Sequence, residues 1–279
     1  MSLRELLRQV IDQGRMSSRL WFYSNYHCNL ACRYCLTESS PKVPRRILER
    51  GDILALATEA RDLGFESLGV TGGEPMLLPW MAEALDGLTQ LLPVTVLTNG
   101  TVFTEKRLEE LRPLASRDLS FQLSLDRPDP ILNDVMRGPD NFAHVVKAVP
   151  ALIALGFQVR IATTLERRSP EEARQLRALV RGLGVAEEDH VVRNVVDRGR
   201  AGLEDMGLTA PLEQMPPELT ITHDGAFWSP FAPTYREGRL QTDLRVSQVT
   251  APLSEPLRLL LSRLAGLALL DPEVHSGFV

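Results

Sequence analysis

The chain has 279 residues, 44% of them hydrophobic and 24% charged, which suits one large globular domain or a domain with a modest appendage. A formal net charge of −5 speaks against a nucleic-acid-binding surface as its main business. Only three cysteines are present, an odd count that a disulfide framework does not use.

Met1-Ser2-Leu3-Arg4-Glu5 lacks a basic start followed by an unbroken apolar core, so no signal peptide is expected. With free thiols, this points to a reducing cytoplasm. Residues 3–13 read as an amphipathic helix, with Leu3, Leu6, Leu7, Val10 and Ile11 on one side. Residues 20–24 form the first strand and run straight into the cysteines; residues 37–44 are polar, proline-marked loop. A helix follows from an N-cap at Asp52 to Gly64. Strands then alternate with helices. Strands are expected at 67–71, 94–98, 119–125, 158–163 and 190–195, and helices at 80–92, 105–112 and 141–155. Another helix opens with Ser169-Pro170-Glu171-Glu172, a serine cap with proline at the first position. Six alternating strands imply a parallel sheet, and a flat doubly wound sheet and a barrel fit equally well. Beyond residue 196 the pattern changes. Residues 197–202 read as a flexible charged turn and 211–217 as a proline-rich stretch. Residues 219–228 read as a hairpin around Asp224-Gly225, and 256–270 as a helix. The longest apolar stretch, 259–270, is broken by Ser262, Arg263 and Gly266 and is too short to cross a bilayer.

Cys28, Cys32 and Cys35 lie in Tyr26-His27-Cys28-Asn29-Leu30-Ala31-Cys32-Arg33-Tyr34-Cys35. Thiolates at this spacing on one short loop can converge on a single inorganic centre. An ordinary cubane takes four thiolates, so three leave one iron without a protein ligand. A zinc site completed by His27 or His144 is an alternative, as is a non-catalytic iron–sulfur electron carrier. Gly72-Gly73-Glu74-Pro75 leaves the second strand. Paired glycines let the backbone approach a ligand, though they also suit a plain turn. Thr98-Asn99-Gly100 ends the third strand and Ser124-Leu125-Asp126 the fourth. Arg160 and Arg193 lie within the fifth and sixth strands, where a charge is unusual. Pointing inward, each would hold an anion; pointing outward, each would snorkel to solvent.

The cysteine loop, with an aromatic residue (Tyr34) before its last cysteine, resembles the cluster motif of radical S-adenosylmethionine (SAM) enzymes. Gly72, Gly73, Glu74 and Pro75 are similar to that family's SAM-ammonium loop. Thr98, Asn99, Ser124 and Asp126 resemble its strand-end segments that meet SAM, and Asn133-Asp134-Val135-Met136-Arg137-Gly138 resembles an element of its peptide-modifying branch. Arg160, like Arg137, is a candidate for the SAM carboxylate. The resemblance implies a partial (β/α)6 TIM barrel, α/β in class, over residues 1–196, with its site at the strand C-termini. It also implies a [4Fe–4S] cluster on Cys28, Cys32 and Cys35, SAM, and an external one-electron donor of flavodoxin or ferredoxin type. The substrate is expected to be a small molecule or ribosomal peptide, or a glycyl-radical partner enzyme to be activated. No catalytic acid, base or nucleophile stands out. Residues 197–279 resemble a twitch or SPASM extension that has lost its cluster cysteines.

Overall fold

The computed structural model describes residues 1–165, 169–209 and 216–268. Most of the expected proline-rich stretch and the end of the last expected helix (269–270) lie outside them. The elements run α1 (Leu3–Asp12), β1 (Arg19–Tyr23), α2 (Arg50–Leu63), β2 (Ser67–Thr71), α3 (Met81–Thr89), β3 (Val94–Thr98), α4 (Glu105–Leu111), β4 (Leu119–Ser124), α5 (Pro130–Arg137), α6 (Asn141–Leu155), β5 (Gln158–Leu165), α7 (Pro170–Gly182) and β6 (His190–Asn194). After these come α8 (Arg200–Leu203), β7 (Thr220–Thr222), β8 (Gly225–Phe227), β9 (Thr234–Arg236), β10 (Arg239–Gln241), β11 (Arg245–Ser247) and α9 (Ser254–Ala268).

Strands β1 to β6 are parallel and lie side by side in chain order. A doubly wound sheet reverses its strand order partway. Here right-handed crossovers always step in one direction, so the helices cover one face and the sheet curls around the other. The structure is therefore a partial barrel. Its outer core is continuous: Leu20, Phe22, Leu68, Val96, Phe121 and Ile161 pack under the helices. Phe121 meets Phe103 and Phe157 edge-on, with ring centroids 5.6 and 5.2 Å apart. Burial of each such side chain contributes about 1.5–3 kcal/mol.

Local signals set most boundaries. Ser2 and Glu5 form a capping box on α1, and Ser169 and Glu172 do so on α7. Gly64, at φ +103°, closes α2 in the left-handed region. Helix α2 starts two residues before Asp52, which lies in its first turn and complements the dipole instead of capping it. Helix α3 is shorter than expected, and α5, capped by Asp129 with Pro130 at its first position, was not foreseen.

The tail departs most from expectation. The Asp224-Gly225 hairpin forms as β7 and β8, but β7 also pairs in parallel with β1, and β11 pairs with β8. Residues 220–247 thus extend the barrel sheet to nine strands among the described residues, beside a separate β9–β10 ribbon. No helix among the described residues is long and apolar enough to cross a membrane.

Gly69 faces the ring of Trp21 across β1 and β2, and a Cβ there would come within 2.2 Å of it. Gly69→Ala is expected to cost about 1–3 kcal/mol, read as a lower denaturation midpoint with an unchanged m-value.

Candidate functional site

The cysteine loop leaves the C-terminal end of β1, and the turn after β2 holds it. Gly73 N–H donates to Asn25 O at 2.7 Å, and Glu74 N–H donates to His27 O at 3.0 Å. The Asn25 amide returns the contact, with Nδ2 donating to His27 O and Glu74 O at 3.1 Å each. A Cβ on Gly72 would lie 2.5 Å from Asn25 Oδ1, and one on Gly73 2.3 Å from His27 O. The paired glycines are therefore required by the approach of the cysteine loop itself, which the sequence did not reveal.

Glu74 is fully buried, and its side chain reaches the C-terminal end of β3. Oε1 accepts Met76 N–H at 3.0 Å and Thr98 Oγ1–H at 2.8 Å; Oε2 accepts Asn99 N–H at 2.7 Å. Burial pushes its carboxyl up to about 7, against the pull of these donors. These bonds tie the turn after β2 to the end of β3. Pro75 is buried in the tight turn that follows.

Asn99 continues the chain of contacts. Its Nδ2 donates to Asn29 Oδ1 at 3.0 Å and lies 3.5 Å from Cys28 Sγ, and its carbonyl accepts from Asn141 at 2.8 Å. Leu30 N–H also donates to Cys28 Sγ at 3.3 Å. Cys28 is buried and the other two cysteines are half-buried. Burial pushes the Cys28 thiol up to about 12 and Cys32 to about 11, so iron must displace their protons on binding. The donor set suits a cubane: three soft sulfurs, with two N–H groups aimed at one of them.

Beyond β4, Asp126 and Arg137 form an ion pair at 3.2 Å, with side chains 1% and 7% exposed. The Tyr34 hydroxyl donates to Asp126 and accepts from Arg137, whose guanidinium also lies 5.7 Å from the Tyr34 ring centroid. Asp126 Oδ1 accepts Thr164 N–H at 2.8 Å, and the Arg137 carbonyl lies 3.3 Å from Cys32 Sγ. Asp126 and Arg137 thus brace the cysteine loop. Ser124 ends β4 partly exposed, on the barrel's inner face. Arg160 is not brought to this site. It is the third residue of β5, near the opposite end of the strand, with Nε 3.3 Å from Asp189.

The tail supplies contacts that sequence reasoning missed. Arg200 N–H donates to Cys35 O at 3.0 Å, and its guanidinium donates to the carbonyls of Cys32 and Ser39. Gly199, at φ +59°, packs so closely that a Cβ would lie 2.2 Å from Leu36 O. Tyr235 N–H donates to Leu36 O at 3.0 Å, and Glu38 accepts from the amides of Glu237 and Gly238. The segment expected to be a flexible turn is a clamp. Glycine between two arginines was the only signal.

The model of the Radical SAM superfamily matches residues 23–180. A probable GTP 3′,8-cyclase of Saccharolobus solfataricus is 29% identical over 216 residues, covering 76% of this chain and 69% of the relative. Among solved structures, anSMEcpe with bound AdoMet superposes with a TM-score of 0.64 at 14% identity, covering 87% of this chain and 79% of that one. SuiB of Streptococcus suis bound to precursor peptide SuiA gives 0.58 at 22%, covering 70% of this chain. The chain spans 43% of SuiB, less than half its length.

Two outcomes follow from the geometry. Gly199→Ala is expected to speed the loss of iron to a chelator several-fold, as the loop moves off its clamp. The Glu74 carboxyl binds its proton more tightly in the folded state than in the unfolded chain. Its contribution to stability is therefore fully present below about pH 4.5 and is lost as pH rises through about 7. Denaturation midpoints across that window should show this slope, and Glu74→Gln should remove it.

Proposed function

We infer that this chain, which belongs to the radical SAM superfamily, holds a [4Fe–4S] cluster on Cys28, Cys32 and Cys35 and uses it on SAM bound beside residues 72–74. The carrying observation is the hydrogen-bonded seam between residues 25–27 and residues 73–74, which sets the cysteine loop against the glycine turn. When bound, the reduced cluster and SAM supply a 5′-deoxyadenosyl radical that takes a hydrogen atom from substrate.

The residues divide the work. Leu30 and Asn99 direct N–H groups at Cys28. Arg137 and Arg200 set positive charge beside Cys32, which offsets the anionic charge of a thiolate-ligated cluster. The SAM ammonium falls to the backbone of Gly72 and Gly73 and to the Glu74 carboxylate beside them. The Ser124 hydroxyl, partly exposed at the mouth, serves the SAM carboxylate. Thr98, Asn99, Asp126 and Tyr34 act through the loops they fix. The segment from residue 197 serves as a scaffold: it carries no cysteine and clamps the cluster loop.

The electron comes from an external one-electron donor of flavodoxin or ferredoxin type, and the substrate is a small molecule or a peptide. The GTP cyclase relative supports the first class and the peptide-bound SuiB neighbour the second. Anaerobic reconstitution with iron and sulfide, followed by dithionite and SAM, should release 5′-deoxyadenosine. Cys32→Ala should lower that release by at least about a hundredfold. A reconstituted wild type that releases none, or a Cys32→Ala variant with an intact rate, contradicts the assignment.

A further inference from the structure

The chain carries a formal net charge of −5, yet one surface beside the cysteine loop is basic. Residues 41–46, in the loop that follows the cysteines, include Lys42, Arg45 and Arg46 and no acidic side chain. Across from them stands the β9–β10 ribbon, in which Arg236 and Arg239 are direct partners. Val43, Pro44, Arg46, Tyr235 and Gly238 line one cavity of about 120 Å³, so the loop and the turn of the ribbon flank the same hollow. Neighbouring residues of a strand face opposite sides. Tyr235 and Leu240 pack with Tyr26 and Tyr23, which leaves Arg236 and Arg239 on the outer side, both exposed.

Arg46 is engaged within the protein: it donates to the Tyr235 hydroxyl and lies 3.6 Å from Asp224. Glu38 is engaged too, accepting from the amides of Glu237 and Gly238. Lys42, Arg45, Arg236 and Arg239 are exposed, and among the described residues no carboxylate pairs with their side chains. Like charges directly opposite in an antiparallel pair are destabilising. A local rule broken without compensation inside the chain marks a place where function overrides stability. Charge on a ribbon also discourages pairing between chains, but that need puts no cations on the loop across the hollow.

The patch lies next to the cysteines. Tyr235 N–H donates to Leu36 O at 3.0 Å, one residue past Cys35. Behind the ribbon, the Tyr235 ring centroid lies 5.1 Å from that of Tyr26, which lies 5.2 Å from that of Tyr23. The Tyr23 hydroxyl meets Thr37 Oγ1 at 3.1 Å, and that oxygen is 3.6 Å from Cys35 Sγ. Packed side chains thus lead from the ribbon to a cluster ligand. Arg174, Arg177 and Arg181 line another groove with His190, but His190 opens β6 at the end of the parallel sheet opposite the cysteine loop.

We propose that Lys42, Arg45, Arg236 and Arg239 form the docking surface for an acidic one-electron carrier protein that reduces the cluster. The carrier loses one electron and the cluster gains it; no bond forms or breaks. A chain of net negative charge repels an acidic carrier on the whole, so complementary charge at this patch steers it to the cysteines. This assignment rests on the radical SAM reading of the mouth and adds the place where the electron enters.

The anaerobically reconstituted holoenzyme is titrated by calorimetry at low ionic strength with an acidic flavodoxin and, separately, with an acidic [2Fe–2S] ferredoxin. At least one should bind saturably, and which one binds names the carrier. Arg45→Glu and Arg239→Glu should each weaken that binding at least about fivefold. The difference should fade toward about 1 M salt, where the screening length falls to about 3 Å. Arg177→Glu, the same change of charge in the remote groove, should leave the affinity within about twofold of wild type. All three positions are exposed, so the substitutions leave the core untouched. Release of 5′-deoxyadenosine driven by dithionite should be unchanged in the variants, while release driven by the reduced carrier falls in the two patch variants. Binding of neither carrier, wild-type affinity in both patch variants, or an equal loss in Arg177→Glu would overturn the proposal. Iron content and dithionite-driven release in the wild type report on the mouth itself, so its failure and that of the docking surface are told apart.

Discussion

Everything at the barrel mouth depends on one contact, the backbone seam in which Gly73 and Glu74 donate to Asn25 and His27. It requires two residues without side chains at 72 and 73, since a Cβ at either would strike the cysteine loop. It also needs a rigid support behind it. The buried Glu74 carboxylate provides that by joining three donors from two loops. A loop this short could place three thiols in many arrangements, and the seam selects one.

A second constraint acts from the far side. Asp126 and Arg137 are both buried, and removing one partner of such a pair costs about 3–5 kcal/mol because the other charge is left uncompensated. Tyr34 lies within the pair, which couples the end of β4, the C-terminus of α5 and the cysteine loop. Residues 198–200 and 235–238 close the remaining side through main-chain carbonyls and amides. The loop is thus held by β2, β4 and the tail together, while the polar inner face of the barrel lies beneath it. The tail keeps a structural function without any cysteine of its own.

Much of this was legible in the sequence. Strand alternation pointed to a parallel α/β sheet because period-two patterning is local, and the choice of a barrel came from the family resemblance carried by the cysteine spacing and by Gly72-Gly73-Glu74-Pro75 one unit later. What could not be read depended on long-range geometry. The direction of the Glu74 side chain is set by donors on β3, and the clamp at Arg200 by a carbonyl 168 residues earlier. The sheet face that Arg160 and Arg193 share follows from strand register. Short strands such as β9 and β10, three residues each, carry too little periodicity to announce themselves.

The central claim is that three sulfurs hold a four-iron centre whose last iron is left for SAM. Mössbauer spectroscopy of protein reconstituted with 57Fe, recorded with and without SAM, tests it most directly. One iron in four should change its isomer shift when SAM is added while the other three keep theirs. Four irons indifferent to SAM would contradict the account, as would a protein that retains no iron–sulfur centre at all.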